Sequence, residues 1–395
     1  MANVSSSNGI EKYPKLRFPE FTEPWTETQL TNLFKKNTKK NNDGSVTNVI
    51  SNSAKNGLIP QKDYFDKDIA NADNTAGYYI IRKNDFVYNP RKSTDAPYGP
   101  ISRYTYSDDG IVSPLYLCFR GNDNINPYYF EKYFKSSAWH RYIYMSGDRG
   151  ARHDRVSIKD ETFFEMPINL PCEYEQDKIA TFLSVLEHKI EKQAALVDNL
   201  KKYKRGVSEA IFTRKIRFGN SSTFPEWKTK KVGEICKIQT GKSNTQDETN
   251  SGLYDFYVRS PIVRKSNRYL FDCEAVLTVG DGVGTGKVFH YVTGKFDLHQ
   301  RVYAMTNFSE VSGKYFYYYF SQFFYNRVMK MTAKTSVDSV RYEMIDKMDI
   351  IFPSIEEQQL IVNFLLNIEN RLLYAEKILE KLESTKKGLL QQLFI

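Results

Sequence analysis

Apolar residues step by three and four along residues 179–211: Ile179, Leu183, Leu186, Ile190, Ala194, Val197, Leu200, Tyr203, Val207 and Ile211. The same spacing returns near the end of the chain at Ile361, Leu365, Ile368, Leu372, Leu379, Leu382, Leu389 and Leu393. Such a period places one apolar stripe along one side of a helix. The two stripes are copies. From Pro171 the chain reads P-C-E-Y-E-Q-D-K-I-A-T-F-L, and from Pro353 it reads P-S-I-E-E-Q-Q-L-I-V-N-F-L, an ungapped offset of 182 residues. The same offset carries Lys204-Arg205-Gly206 onto Lys386-Lys387-Gly388. About 35 residues at about 1.5 Å each give a rod of roughly 50 Å, too long for one small core. The simplest burial sets each stripe against the other, near the coiled-coil period. The expected seam is Ile179, Leu183, Leu186, Ile190, Val197 and Leu200 against Ile361, Leu365, Ile368, Leu372, Leu379 and Leu382. A capping box, Ser354 with Glu357, is predicted to start the second helix, where the first copy has Cys172 and Glu175.

A globular segment of shorter periods precedes each rod. F-P-E-F at Phe18–Phe21 returns as F-P-E-W at Phe224–Trp227, an offset of 206 against 182 at the helices, so the first globule is the longer by 24 residues. Frames that match around middles that diverge predict a shared scaffold with two different inserts. Strands are expected at Tyr78–Ile81, Phe86–Tyr88, Ile111–Phe119, Glu274–Val279 and Val302–Met305, with Pro114 demoting part of the third to an edge. Aromatic-rich helices are expected at Tyr128–Tyr142 and Lys314–Met331. No sustained βαβ alternation appears, which disfavours a doubly wound nucleotide fold. The expected fold is α+β: two globular mixed α/β domains separated by two long antiparallel helices that form a coiled coil, with a pseudo-twofold internal repeat. The expected segments are 1–170, with a disordered lead-in over 1–15, then 171–216, 217–352 and 353–395.

Composition narrows the function. A chain of 395 residues exceeds one usual core. The net charge of +9 favours an anionic partner, nucleic acid first. The four cysteines, Cys118, Cys172, Cys236 and Cys273, form no C-x-x-C pair and accompany no His cluster, which argues against zinc and against a disulfide framework. The start has no signal-peptide core and no run of 18 apolar residues exists, so a cytoplasmic, membrane-free protein is expected.

Motifs for bond-breaking chemistry fail on inspection. Gly280–Lys287 is glycine-rich, but Asp281 stands where a phosphate loop needs glycine and Val288 where it needs Ser or Thr. It reads as a hairpin between strands or as backbone approaching a nucleic-acid phosphate, with Lys287 alongside. Asn126-Pro127-Tyr128-Tyr129 lacks the second proline of an adenine-gripping loop and reads as a helix start. Glu187-His188-Lys189 lies on the rod as a solvated face. No catalytic or metal-ligating residues are expected.

Binding chemistry remains. In the first globule the candidates are Arg91, Lys92, Tyr98 and Arg103, then Arg149, Arg152, His153 and Arg155 in the glycine-flanked run M-S-G-D-R-G-A-R-H-D-R. In the second they are Lys242, Arg259, Arg264, Lys265, Lys287, His299, Gln300, Arg301, Lys334, Ser336 and Arg341, with Arg268 in the same cluster. Guanidinium groups pair with guanine edges and with phosphates. Any one of these residues alone reads as a solvated charge; the clusters as sets point to DNA.

With its F-P-E-F/W openings, two unlike globules, P-x-x-E-Q helix starts and repeated helices, nearly the whole chain resembles the specificity subunit of type I restriction–modification systems. The resemblance implies two target recognition domains, each reading half of a bipartite double-stranded DNA sequence, with the helices fixing the unread spacer. It implies two modification (methyltransferase) subunits carrying S-adenosylmethionine, which methylate adenine N6 after base flipping, and two restriction (translocase/endonuclease) subunits using ATP and Mg. No cofactor is then expected on this chain, which would supply address rather than chemistry. A stand-alone coiled-coil DNA-binding or scaffold protein stays open as the alternative.

Overall fold

The computed structural model describes residues 12–61, 75–147, 154–218, 225–282, 284–331 and 339–395. The chain divides into two compact units, Met1–Gln193 with Ile378–Ile395, and Ala194–Lys377. Both long helices form, as Glu173–Phe212 and Ile355–Gln392, so each helix contributes to both units along its length.

In unit 1 a four-stranded antiparallel sheet runs in the order Phe34–Lys36, Leu117–Gly121, Phe86–Tyr88, Ile101–Arg103. Its apolar face is aromatic: Phe34 sets its ring against Phe86, Phe119 and Phe130 at 4.9–5.4 Å between centroids. Helices Pro127–Lys135 and His140–Ser146 cover that face. The first starts as the sequence suggests, with the Asn126 side chain accepting from the Tyr128 and Tyr129 amides at 3.0 Å and Pro127 at the first position. Two expectations are corrected here. The helix expected over Tyr128–Tyr142 breaks between Lys135 and His140, where the Ser136 hydroxyl turns back to the Tyr133 carbonyl and the Trp139 indole donates to the Phe134 carbonyl. The run Ile111–Phe119 splits at a turn around Pro114 into Gly110–Val112 and Leu117–Gly121, which pair in different sheets.

Unit 2 repeats the sheet order with Lys237–Thr240, Val302–Thr306, Ala275–Val279 and Phe289–Val292. One helix, Gly313–Met331, replaces the broken pair, and Phe316, Phe320 and Phe324 stack at helical spacing along it. The inserts differ, as expected. Unit 1 adds the ribbons Ile50–Ser53/Gly57–Pro60 and Tyr79–Ile81/Gly110–Val112, whereas unit 2 adds a second four-stranded sheet, Arg264–Ser266, Tyr254–Tyr257, Lys295–Leu298, Phe271–Asp272.

The duplicated P-x-x-E-Q motif is an anchor with the same wiring in both units. Gln176 and Gln358 each donate to the carbonyl of the motif proline, Pro171 and Pro353, at 3.0 Å. Glu175 and Glu357 are fully buried and take a guanidinium each, Arg17 at 2.7 Å and Arg217 at 3.0 Å. Glu357 is therefore spent on Arg217 and does not close the expected capping box with Ser354. Phe18 meets Phe182 edge-on at 5.7 Å, and Phe218 meets Phe364 at 5.3 Å. These contacts pair Arg17-Phe18 with Arg217-Phe218, an offset of 200, so the F-P-E motifs are not in structural register.

All twelve expected seam residues are buried or half-buried. Ile179 and Leu183 join the unit 1 core with Trp25, Leu393 and Phe394. Ile361, Leu365 and Ile368 join the unit 2 core with Ile211 and Phe212. Val197 is buried, and Leu186, Ile190, Leu200, Leu372, Leu379 and Leu382 are half-buried. Ala194 and Tyr203, read as part of the stripe, stand exposed, while Ala375 fills the gap between Leu372 and Leu379. The helices run antiparallel: in unit 2, Lys201 meets Glu376 at 2.8 Å and Lys204 meets Glu369 at 2.6 Å. In unit 1, Lys386 reaches Glu187 at 2.7 Å.

Glu187 also takes Lys132, beside a second carboxylate, Glu131, that takes Arg103 at 2.6 Å and Lys135 at 2.9 Å. Burial favours the neutral acid at Glu131, but Lys135, Lys132 and Arg103 outweigh it and hold the carboxyl down to about 2. A folded-state pKa below the unfolded one gives stability that is present above the ordinary glutamate value and lost as pH falls toward about 2. Glu131→Gln is therefore expected to lower the stability of unit 1 at neutral pH and to converge on wild type in acid. Circular dichroism melts across pH check this; a gap that stays constant down to the lowest pH contradicts it.

Candidate nucleic-acid interface

In each unit the loop leaving the strand next to the sheet's edge is stitched to the segment before the short helix that leads to the rod. The Val156 amide donates to the Pro90 carbonyl at 2.9 Å in unit 1, and the Val340 amide to the Gly280 carbonyl at 2.7 Å in unit 2. Beside each bond lies an antiparallel bridge, Arg91 with Arg155 and Asp281 with Ser339. One backbone device thus presents different side chains in the two units.

In unit 1 this device joins Arg91 to Arg155, far apart in sequence. Arg91, Lys92 and Arg155 line one groove of about 570 Å³ together with Lys55, Asn89 and Tyr116. The loop is shaped by Asn89, whose side chain accepts from the Arg91 amide at 3.0 Å, and by Gly99, at φ +81°, where a Cβ would stand 2.2 Å from the Asn89 carbonyl. Beneath it Asn52 is 4% exposed and donates to the Val87 carbonyl at 2.8 Å. The Arg155 Nε is covered from solvent, has no hydrogen-bond partner among the described residues, and lies 3.8 Å from the Asp154 carboxylate. Burial pushes the Tyr116 phenol up, against a hydrogen bond with the Asn52 backbone and the weaker pull of Arg155 and Arg91. Lys55 and Tyr116 were not singled out in the sequence. The Asn56-Gly57 turn that carries Lys55 into the groove is a hairpin signal that could have found it.

In unit 2 three separate loops converge on Asp281. Its Oδ1 lies 3.4 Å from Arg259 Nη1 and its Oδ2 lies 3.8 Å from Arg301 Nε. His299 lies beneath, 3% exposed, and its Nδ1 accepts the Arg301 amide at 3.0 Å. Burial, then the Arg259 charge, holds that imidazole below its ordinary range, which suits an acceptor nitrogen. Gln300 donates to the Asn244 side chain at 2.5 Å, and Arg268 spans Ser243 and Asp247 at 3.0 Å each. In the sequence Asp281 reads only as a misfit in a phosphate loop, because an acid is not the residue type that attracts an anionic partner.

The other candidates are distributed unevenly. Arg103 is held by Glu131, Asn84 and the face of Tyr128, with its side chain 8% exposed, so its charge is satisfied inside unit 1. Tyr98 packs on His140 at 4.8 Å and is half-buried. Arg264 and Lys265 pair with Glu248 and Asp255 on the surface. Lys287 lies over the Tyr325 ring at 4.9 Å, and Lys242 and Arg341 are exposed. Arg149, Arg152, His153, Lys334 and Ser336 lie outside the described residues. Among the described residues no group of three or more His, Cys, Asp or Glu could hold a metal ion, and no helix is long and apolar enough to cross a membrane.

Two sheets of one strand order, each carrying a basic loop cluster and joined to the other by duplicated antiparallel helices, define a twofold-repeated recognition protein. The chain belongs to the type I restriction modification DNA specificity domain family, whose model matches residues 23–201 and 225–384, one copy per repeat. It is similar to the specificity subunit of the type I restriction enzyme EcoDI of Escherichia coli, 29% identical over 166 residues, 42% of this chain and 34% of that one. It is similar also to the MjaVIII specificity subunit of Methanocaldococcus jannaschii, 25% identical over 266 residues, 59% of this chain and 63% of that one. The chain thus spans less than two thirds of the length of these curated relatives. Its fold matches the crystal structure of the type I S subunit from M. genitalium with a TM-score of 0.60 at 15% identity, covering 97% of this chain and 99% of that one.

Proposed function

We propose that this chain is the sequence-reading subunit of a type I restriction–modification complex, with each unit reading one half of a bipartite duplex target. The observation that supports this most is the stitched loop found in both units, loaded with Arg91 and Arg155 in one and with Asp281, Arg259 and Arg301 in the other. A duplicated scaffold with unlike chemistry at equivalent places suits a protein that reads two different half-sites. Guanidinium forks on a loop rim supply paired hydrogen bonds to guanine O6 and N7 or to phosphates. The helices would fix the unread spacer and dock two modification subunits, and S-adenosylmethionine, ATP and Mg would belong to modification and restriction partners. The chain itself supplies address, not bond chemistry.

The test is co-expression with a modification subunit encoded beside it and mapping of N6-methyladenine. Replacing residues 16–170 by the equivalent segment of another family member is expected to change one half of the methylated motif only. Adding one helical turn to both rods is expected to lengthen the spacer and leave both halves unchanged. Changes in both half-sites after the first exchange, or an unaltered spacer after the second, count against the reading.

A further inference from the structure

We infer that Asp281 is a positioning residue for recognition in unit 2: it fixes Arg259 and Arg301 as one pair of guanidinium forks, and its charge lowers affinity for duplexes of the wrong sequence. The inference rests on the proposed DNA-reading role of this unit.

The backbone that carries the carboxylate is itself held. The Gly280 amide donates to the Arg301 carbonyl at 2.8 Å, and the Val340 amide to the Gly280 carbonyl at 2.7 Å. A Cβ at Gly280 would stand 2.8 Å from that Arg301 carbonyl, so the loop runs close against the turn that carries Arg301. That turn is fixed in turn by the buried His299. Asp281, with its side chain 26% exposed, thus stands on a tied backbone between two more exposed groups, Arg259 and Arg301, whose side chains are 47% and 65% exposed.

Stability does not account for the arrangement. Exposed ion pairs at 3.4 and 3.8 Å add little to the stability of a fold. Nor does the scaffold require an acid, since the equivalent bridge position in unit 1 is Arg91, with the same backbone bond beside it. A position that carries opposite charges on the same backbone in the two repeats is set by what each unit faces. Toward a phosphate backbone the carboxylate is repulsive, and this lowers sequence-independent binding. Its gain is orientation. Arg259 donates one terminal nitrogen to Asp281 and keeps the rest of its fork free, so less side-chain freedom is lost when it meets a base edge. Specificity obtained by penalising wrong partners is a general device.

The test uses the full chain, its Asp281→Asn and Asp281→Glu variants, and the double variant Arg259→Ala/Arg301→Ala. Two quantities are read: affinity for a duplex of arbitrary sequence across a salt series, and the consensus selected from a pool of randomised duplexes. Asp281→Asn is expected to bind the arbitrary duplex about three- to tenfold more tightly, with a salt slope steeper by about one. The consensus is expected to blur in one half-site only. Asp281→Glu, which keeps the charge, is expected to stay near wild type on the arbitrary duplex. If Asp281→Asn leaves affinity and consensus unchanged, or weakens binding to every duplex, the positioning role is overturned. If instead the double arginine variant binds and selects like wild type, the DNA-reading role of this surface fails, whatever Asp281 does.

Discussion

Removing both guanidinium groups of the unit 1 groove, by Arg91→Ala with Arg155→Ala, is expected to weaken binding to a cognate duplex at least about thirtyfold. Each such contact to a base edge or phosphate contributes about 1–3 kcal/mol. The two residues meet in one backbone bridge, so they act on the same stretch of duplex. A fluorescence binding titration with the full chain checks the loss, and selection from randomised duplexes should show it confined to one half-site. Unchanged affinity would return both arginines to the class of solvated surface charges. The Lys92 ammonium lines the same groove as a point charge, so Lys92→Ala should lower affinity for all sequences alike and reduce the salt slope by about one.

The largest expected effect on stability lies at the start of the first rod. Arg17→Met leaves Glu175 buried at 0% exposure with, among the described residues, the Trp25 indole to donate, and is expected to cost unit 1 about 3–5 kcal/mol. Adding Glu175→Leu should recover most of that, because two apolar groups of similar size replace the pair without stranding a charge. Trp25 would then lose its acceptor. Unit 2 indicates that this is tolerated, since the Trp227 Nε1 is buried with no hydrogen-bond partner among the described residues. Denaturant unfolding of the single and double variants reads the cycle; a double variant no more stable than Arg17→Met would place the loss in packing.

Much of the frame was legible because duplication is visible without knowing any contact. The rods followed from the offset of 182 and the apolar period, and the shared scaffold with unlike inserts from the different offset, 206, at the F-P-E motifs. Short-range rules failed where a distant partner competed. Glu357 fits a capping box until Arg217, 140 residues away, takes it. Tyr128–Tyr142 has helical spacing, but the Ser136 hydroxyl and the Trp139 indole stop the helix. The clusters Arg91-Lys92 and Arg149–Arg155 were both visible, yet nothing local says that a strand bridge joins Arg91 to Arg155. Arg103 looked like a binding residue because its partner Glu131 lies on another element. Asp281 has the charge that a phosphate backbone repels, so the sequence alone does not mark it.

The last eighteen residues have a consequence for biosynthesis. Leu393 and Phe394 are buried among Tyr129 and Tyr133, and Leu16 donates its amide to the Gln392 carbonyl, so the amino-terminal unit lacks part of its interior until residues 378–395 have been made. The middle of the polypeptide, Ala194–Lys377, is contiguous and carries no such debt. Emerging from the ribosome, these two units should reverse the usual order in which domains mature: the one begun first must wait for a segment made after the other.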